Sequence, residues 1–494
     1  MAVVGTSAQP LRVAVIGSGP AAFYAVEQLF KAPAVVAEVD MFERLPAPHG
    51  LVRYGVAPDH PKIKTVTRAY DAIAGHARFR FFGNVEFGRH LTLPDLARHY
   101  HQVIFATGAQ TDRHMGIPGE ELAGSHAATE FVAWYNGHPD YRGYQFDLSG
   151  ERAVVVGVGN VAIDVARILV RTPEELLKTD IAEHALDALR ESRIREVYLL
   201  GRRGPAQAAF TNPEVKEIGE MADAEVIVRP DEVRLDPLSQ GYVDQAGDRT
   251  LLRKIEILQG YALRKPAGKR RSLHVRFLVS PVELIGDAQG NVTAMRLVRN
   301  RLVASPTGAI NAEPAGEFEE IETGLVFRSV GYRGVALPDI PFDERRGVIP
   351  NDHGRVLDPS AAQPLPGVYV SGWIKRGPSG VIGTNKPDSA ETVLSMLADL
   401  EAGARWHPAE PDPRAVDALV HSRQPLAVTY DDWRRLDALE CSNGAACGRP
   451  RLKFASTDEM LAALGRLLTL TPDVSTPSLN SQLSTPDSQV CERG

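Results

Sequence analysis

Cysteine is scarce. The 494-residue chain holds three, Cys441, Cys447 and Cys491, all near its C-terminal end. That number excludes a disulfide framework and any four-thiolate iron–sulfur or zinc centre built from one chain, so Cys441 and Cys447 are read as free thiols. Long apolar runs are missing too. The longest are strand-length, which leaves no candidate transmembrane helix. Residues Met1 to Pro10 lack the charged-then-apolar pattern of a signal peptide and are too short and Arg-poor for a transit peptide, so the expected location is the cytoplasm. Positive charge is in deficit, with 55 Lys and Arg against 62 Asp and Glu and a net charge of −7. This argues against nucleic-acid recognition through bulk charge, and any charged partner has to be met by a local patch. What remains, 44% hydrophobic and 24% charged residues, is ordinary globular composition over a length that suggests about two to four domains.

The chain contains one supersecondary unit twice. Val13-Ala14-Val15-Ile16 reads as a buried strand, followed by a glycine turn, a helical pattern from Ala21 to about Phe30, and a second strand, Glu38 to Phe42, ending in Glu43. Ala153-Val154-Val155-Val156 repeats the design, with a glycine turn, a helix through Leu169 and the strand Val197-Tyr198-Leu199-Leu200. Strand-to-glycine passages recur at Gln102 to Gly108, Leu325 to Gly331 and Gly367 to Gly372, as expected where the chain crosses between domains. The fold class expected is α/β, with two Rossmann-like dinucleotide-binding domains, the second inserted into a discontinuous first. The divisions are residues 1–111 and 328–465 for the first domain, the latter with a helical extension, and 112–327 for the insertion. Alternating polar and apolar positions from about Glu225 to Glu320 predict strands and hairpins. Residues 466–494 are rich in Ser, Thr, Pro and Gln, which predicts a disordered tail.

The two glycine turns point to different nucleotides. In Gly17-Ser18-Gly19-Pro20-Ala21-Ala22 the first glycine permits the tight turn, the second admits a pyrophosphate, and Ala22 takes the third glycine's place at the helix–sheet contact. The helix N-terminus then offers amide donors and a favourable dipole. Glu43 stands where a carboxylate can accept from a ribose diol, which suits FAD or NAD. The second copy, Gly157-Val158-Gly159-Asn160-Val161-Ala162, is followed by a strand ending in Gly201-Arg202-Arg203 with no carboxylate. Two guanidiniums there suit a 2′-phosphate, and an acid would repel it, so NADP is preferred to NAD. One site for FAD and one for NADP in a single chain imply hydride transfer between nicotinamide and isoalloxazine.

The chain resembles the adrenodoxin reductase family, the FAD-containing NADPH–ferredoxin reductases, over roughly Arg12 to Leu464. Three runs carry the likeness most closely: Gly50-Leu51-Val52-Arg53-Tyr54-Gly55-Val56-Ala57-Pro58-Asp59-His60-Pro61-Lys62, Gly201 to Pro205, and Gly372-Trp373 through Asn385. The resemblance implies that Ala22, Glu43, Leu51 and Val85 line the FAD adenosine and pyrophosphate, while Trp373 and the Gly380-Val381-Ile382 turn approach the flavin. It implies that Arg113, Asn160, Val161, Arg202, Arg203 and Glu214 contact NADP, with Gly380 near the nicotinamide. It also makes His60 and Glu217 an active-site polar pair, and a ferredoxin-type iron–sulfur protein the electron acceptor. No metal site is expected.

An acidic ferredoxin calls for a basic docking face, and two runs could supply it: Lys265, Lys269, Arg270 and Arg271, or Arg296, Arg299 and Arg301. A thioredoxin-reductase reading fails because no CxxC pair is present. A flavin monooxygenase is the enzymatic alternative, and a non-catalytic NADPH sensor the alternative of another class.

Overall fold

The computed structural model describes residues 3–466. The expected tail therefore lies outside the described residues except for Arg466, and so does Cys491. Leu11–Ile16 is buried at every position, as an apolar strand covered on both faces should be. It pairs in parallel with Ala37–Glu43 on one side and Gln102–Phe105 on the other. Pro364–Val370 pairs with Gln102–Phe105, so the seven-stranded sheet draws strands from both ends of the described chain. A separate six-stranded sheet holds Arg152–Val156 between Leu325–Arg328 and Glu196–Leu200, all parallel. The passage at Leu325 thus belongs to the second sheet, and the chain crosses back just after it. There Tyr332–Arg333 pairs antiparallel with Thr111–Asp112, so outgoing and returning crossovers lie side by side.

Between residues 225 and 320 the expectation of strands and hairpins holds only in part. Val279–Gly286, Val292–Ala304 and Ile310–Glu322 form an antiparallel three-stranded sheet. Pro237–Ala246 and Arg249–Ala262, however, are helices. Their start signals are in the sequence: Asp236 caps Leu238 and Ser239 with Pro237 at the first helical position, and Asp248 caps Thr250. Leu251, Ile255 and Leu258 are buried at helical spacing, which overrides a period-two reading.

In the first unit, Pro20 opens the helix Pro20–Lys31, and Ala21, Ala22, Phe23, Ala25, Val26 and Leu29 face inward. The late helix Asn385–Ala402 packs alongside, with Ser389 Oγ donating to Ala21 O at 2.9 Å. Gly372 fits beneath it only as glycine, since a Cβ would lie 2.6 Å from that of Ala21.

A C-terminal strap closes the junction between the two sheets' halves. Lys64, from the short helix Pro61–Lys64, donates to Asp180 at 2.7 and 2.8 Å, and Lys453 reaches the same carboxylate at 3.3 Å. Lys453 also donates to Asn136 O and Arg53 O. Arg449 of the same strap binds Glu183 and the carbonyl of Ile181. Burial works to raise the Asp180 carboxyl, but Lys453 and Lys64 hold it below the usual range. Replacing Asp180 with Ala leaves two buried ammonium groups facing each other, and should cost about 3–5 kcal/mol. Denaturant unfolding of the holoprotein measures this, and a loss under about 1 kcal/mol would place the pair among weak surface bridges.

Candidate functional site

Each glycine turn leaves open space and unpaired amides at a helix start, an arrangement that could take a pyrophosphate. Gly17 sits at φ +99° with its Cβ position 2.6 Å from Ala106 O, so the turn requires glycine to seat against the neighbouring strand. Gly157 repeats this at φ +136°, 2.2 Å from Ser329 O. Gly19 and Gly159 face open space, and the helices that they precede, Pro20–Lys31 and Asn160–Val170, have no side-chain cap and no acid in the first turn. The leading N–H groups of both helices are thereby left to an external anion.

Glu43 ends the strand Ala37–Glu43, held by Ser18 Oγ at 2.6 Å, Ser18 N at 3.1 Å and Leu45 N at 3.1 Å. This fixes a carboxylate at the first turn, as a ribose diol requires. Val85 is buried and its N–H donates to Glu43 O, so it supports the same corner. Leu51 follows Gly50, whose φ of +48° brings it close to Gly19. Ala22 has no exposed surface, so its place is the helix–sheet contact and its side chain cannot touch a ligand directly. Trp373 is half-buried, donates Nε1–H to Ser379 O, and lies 5.5 Å from the Tyr332 ring. The adjoining Gly380-Val381-Ile382 turn is largely exposed, and Thr384 folds back onto Val381 O.

At the second turn, Asn160 Oδ1 accepts from Thr211 N at 2.9 Å, while Val161 packs on the core of its own unit. Thr211 immediately precedes the helix Asn212–Ile218, which carries Glu214 and Glu217, so Asn160 ties the glycine turn to the start of the helix that bears those acids. Arg202 is exposed and Arg203 half-buried; among the described residues no carboxylate oxygen lies within 4.0 Å of either guanidinium. Burial, and then Arg202, lower the affinity of Arg203 for its proton. Arg203 opens onto a cavity of about 550 Å³ together with Gln207, Thr211, Tyr242 and Lys254. Arg113 lies apart, on the crossover, where its N–H donates to Gly331 O and its guanidinium to Arg346 O.

His60 and Glu217 meet across the junction: His60 Nε2 is 2.7 Å from Glu217 Oε2. Glu214 lies 3.8 Å from the same nitrogen and Asp164 4.0 Å from Nδ1. Behind them Arg167, fully buried, donates to Asp59 at 2.7 and 3.1 Å, to Asp164 at 2.7 Å and to Glu214 at 3.1 Å. Asp59, Asp164, Arg167 and Arg171 escaped the reading of the sequence. Two charges three residues apart in the otherwise apolar stretch Val161 to Val170 were the signal available. His60, Glu214 and Glu217 hold ligand-type atoms within 4.8 Å of one another, but here each is bonded within the ion-pair network.

Of the basic runs, Arg296 pairs with Glu283 and Glu320, Arg299 with Asp231, and Arg301 with Glu313. Arg296 and Arg301 are neutralised within their own sheet and Arg299 by a neighbouring turn, so that run offers no free basic face. Lys269 is spent on the carbonyls of Met221 and Ala224.

A model of the pyridine nucleotide-disulphide oxidoreductase family matches residues 11–221. The chain is 46% identical over 462 residues to NADPH-ferredoxin reductase FprA of Mycobacterium tuberculosis, covering 92% of this chain and 99% of that one. It is 40% identical over 467 residues to the mitochondrial NADPH:adrenodoxin oxidoreductase of Arabidopsis thaliana, covering 92% and 96%. The solved structure of M. tuberculosis FprA in complex with NADPH superposes with a TM-score of 0.87 at 45% identity, over 92% of this chain and all of that one.

Two predictions follow from this geometry. Replacing Arg202 and Arg203 with Ala should lower kcat/KM for NADPH at least about tenfold, since each charged hydrogen bond contributes about 1.5–3 kcal/mol, and leave NADH use nearly unchanged. Equal losses with both substrates would remove the phosphate role. The second concerns pH. Burial raises the Asp164 carboxyl from 3.8 to about 7 against the pull of Arg167. The folded state thus holds a proton that the unfolded chain releases, so this group's stabilising contribution is complete below pH 3.8 and lost as pH rises through about 7. Asp164→Asn should flatten the dependence of unfolding free energy on pH between about 4 and 7, and parallel curves for variant and parent would contradict it.

Proposed function

We infer the activity from one premise: the chain belongs to the NADPH–ferredoxin reductase family, alongside mycobacterial FprA and the plant NADPH:adrenodoxin oxidoreductase. It is an oxidoreductase that binds FAD, oxidises NADPH and passes single electrons to a ferredoxin-type iron–sulfur protein. The observation that carries this reading is the pairing of two uncapped glycine-turn helices, one beside Glu43 and the other beside Arg202 and Arg203, with His60 and Glu217 joined between their halves. FAD, when bound, supplies an acceptor for hydride that can release electrons one at a time.

We propose that residues 1–111 and 328–465 hold FAD and that 112–327 hold NADPH. Gly17, Gly19 and the first amides of Pro20–Lys31 take the FAD pyrophosphate, Glu43 its ribose, and Leu51 and Val85 the adenosine wall, with Ala22 acting through packing. Trp373 and Gly380-Val381-Ile382 border the ring end. Arg202 and Arg203 grip the 2′-phosphate, Asn160 and Val161 the dinucleotide turn, and Arg113 and Glu214 the remainder of NADPH. His60 and Glu217 keep one exchangeable proton fixed at their 2.7 Å contact beside the reacting rings. The rest of the network orients His60 through Asp59. Among the described residues no helix is long and apolar enough to cross a membrane, and we assign the protein to the cytoplasm.

The test is to mix the yellow holoprotein anaerobically with NADPH or NADH, follow flavin absorbance, then add a bacterial ferredoxin with cytochrome c as reporter. Bleaching selective for NADPH followed by ferredoxin-dependent cytochrome reduction is expected. Bleaching without transfer would favour a monooxygenase, and bound flavin without bleaching a sensor. Because His60 and Glu217 act through one contact, His60→Gln and Glu217→Gln should each slow flavin reduction, and the double variant should be no slower than the worse single one. Additive losses would show that the two side chains act separately.

A further inference from the structure

Away from both glycine turns, a cavity of about 560 Å³ opens at the start of three neighbouring parallel strands of the six-stranded sheet. Arg195 immediately precedes Glu196–Leu200, Arg271 begins Arg271–Arg276, and Asp223 precedes Ala224–Val228. Four arginines are among its lining residues, Arg193, Arg195, Arg270 and Arg271, against two acids, Glu174 and Asp223. Their pairing is poor. Arg270 and Arg271 share Asp223 at 3.9 and 3.6 Å, beyond hydrogen-bonding distance. Arg271 Nη1 is buried without any hydrogen-bond partner. Among the described residues, Arg193 and Arg195 have no carboxylate oxygen within 4.0 Å. Most buried arginines elsewhere in the chain are closely paired, as Arg276 is with Glu232 at 2.8 Å. A surplus of guanidiniums converging on one cavity is a repulsive arrangement that an external anion relieves.

We propose that this cavity is a second anion site, which takes a compact polyphosphate such as pyrophosphate. The volume lies within the range of small-molecule sites, and no aromatic side chain lines the cavity to stack a base, so the phosphates themselves are the recognised feature. Thr172 and Ser192 add hydroxyl groups that can complete the oxygen contacts. The site is separate from the NADPH 2′-phosphate position: Arg195 and Arg202 stand at opposite ends of one strand, roughly 20 Å apart at the rise of an extended chain. It also adjoins the catalytic junction. The wall at Thr172 continues from Arg171, whose Nε donates to Asp59 Oδ2 at 2.7 Å, the residue before His60. Arg270 and Arg271 were candidates for docking an acidic protein; both line this half-open cavity, Arg271 deep in it and Arg270 at its exposed rim.

The experiment titrates sodium pyrophosphate into holoprotein already saturated with NADP, at about 0.15 M salt, by calorimetry. Binding that weakens at least tenfold in Arg193→Ser/Arg195→Ser, and that persists in Arg202→Ala, supports the site. Both replaced side chains are exposed, and an unchanged KM for NADPH verifies that the double variant is intact. No heat in the parent protein, or binding that the double variant leaves unaltered, overturns the proposal. So does a raised KM for ferredoxin in the double variant without pyrophosphate binding in the parent, which would make the surface a protein-docking face.

Discussion

One buried guanidinium determines how the two halves of this enzyme meet. Arg167 is inaccessible to solvent and projects from the helix that begins at the second glycine turn. Its partners Asp164 and Glu214 belong to its own half, but Asp59 comes from the other. Burying an arginine without partners costs several kcal/mol, and Asp59 satisfies it only when the halves are joined in one orientation. Arg167 in turn draws the Asp59 carboxyl down to about 2 although burial alone would raise it. His60 follows directly in the chain, so the position of the imidazole that meets Glu217 is inherited from an ion pair.

That the junction rests on charge follows from where the apolar cores lie. The core around Arg152–Val156 and that around Leu11–Ile16 are separate clusters, each confined to its own half. Apolar contact is non-directional and would allow the halves to slide, whereas ion pairs impose distance and angle. The Lys64–Asp180–Lys453 contact and the paired crossovers Thr111–Asp112 and Tyr332–Arg333 add constraints from other sides. Two dinucleotide sites on separate cores can thus face each other in a fixed register, which hydride transfer demands.

What could be read in the sequence was what is local. Each glycine turn is legible because strand, turn, helix and terminal residue follow within one short stretch, and the conformations of Gly17 and Gly157 allow no other residue. Glu43 and the Arg202–Arg203 pair are legible for the same reason. The Arg167 network is not, because Asp59 and Arg167 are 108 residues apart and nothing in local spacing joins them. His60 and Glu217, 157 residues apart, were brought together only by family resemblance. The helices between 237 and 262 were misread as strands because alternation was weighed above the caps at Asp236 and Asp248.

Arginine shows how far residue type falls short of function. Arg296 and Arg301 resembled a basic patch, yet they sit opposite Glu320 and Glu313 in the register of the three-stranded sheet and are neutralised there. A cross-strand partner can be found only once register is known. Arg202 and Arg203 lie just past a strand end, beyond the reach of any ladder neighbour's carboxylate, and Arg203 is already disfavoured by burial and by its neighbour. An unpaired cation is an electrostatic cost in the free protein that only an incoming anion removes. If Arg202 and Arg203 hold the 2′-phosphate as proposed, the preference for a phosphorylated dinucleotide is set before NADPH arrives, by carboxylates that are absent as much as by the arginines that are present.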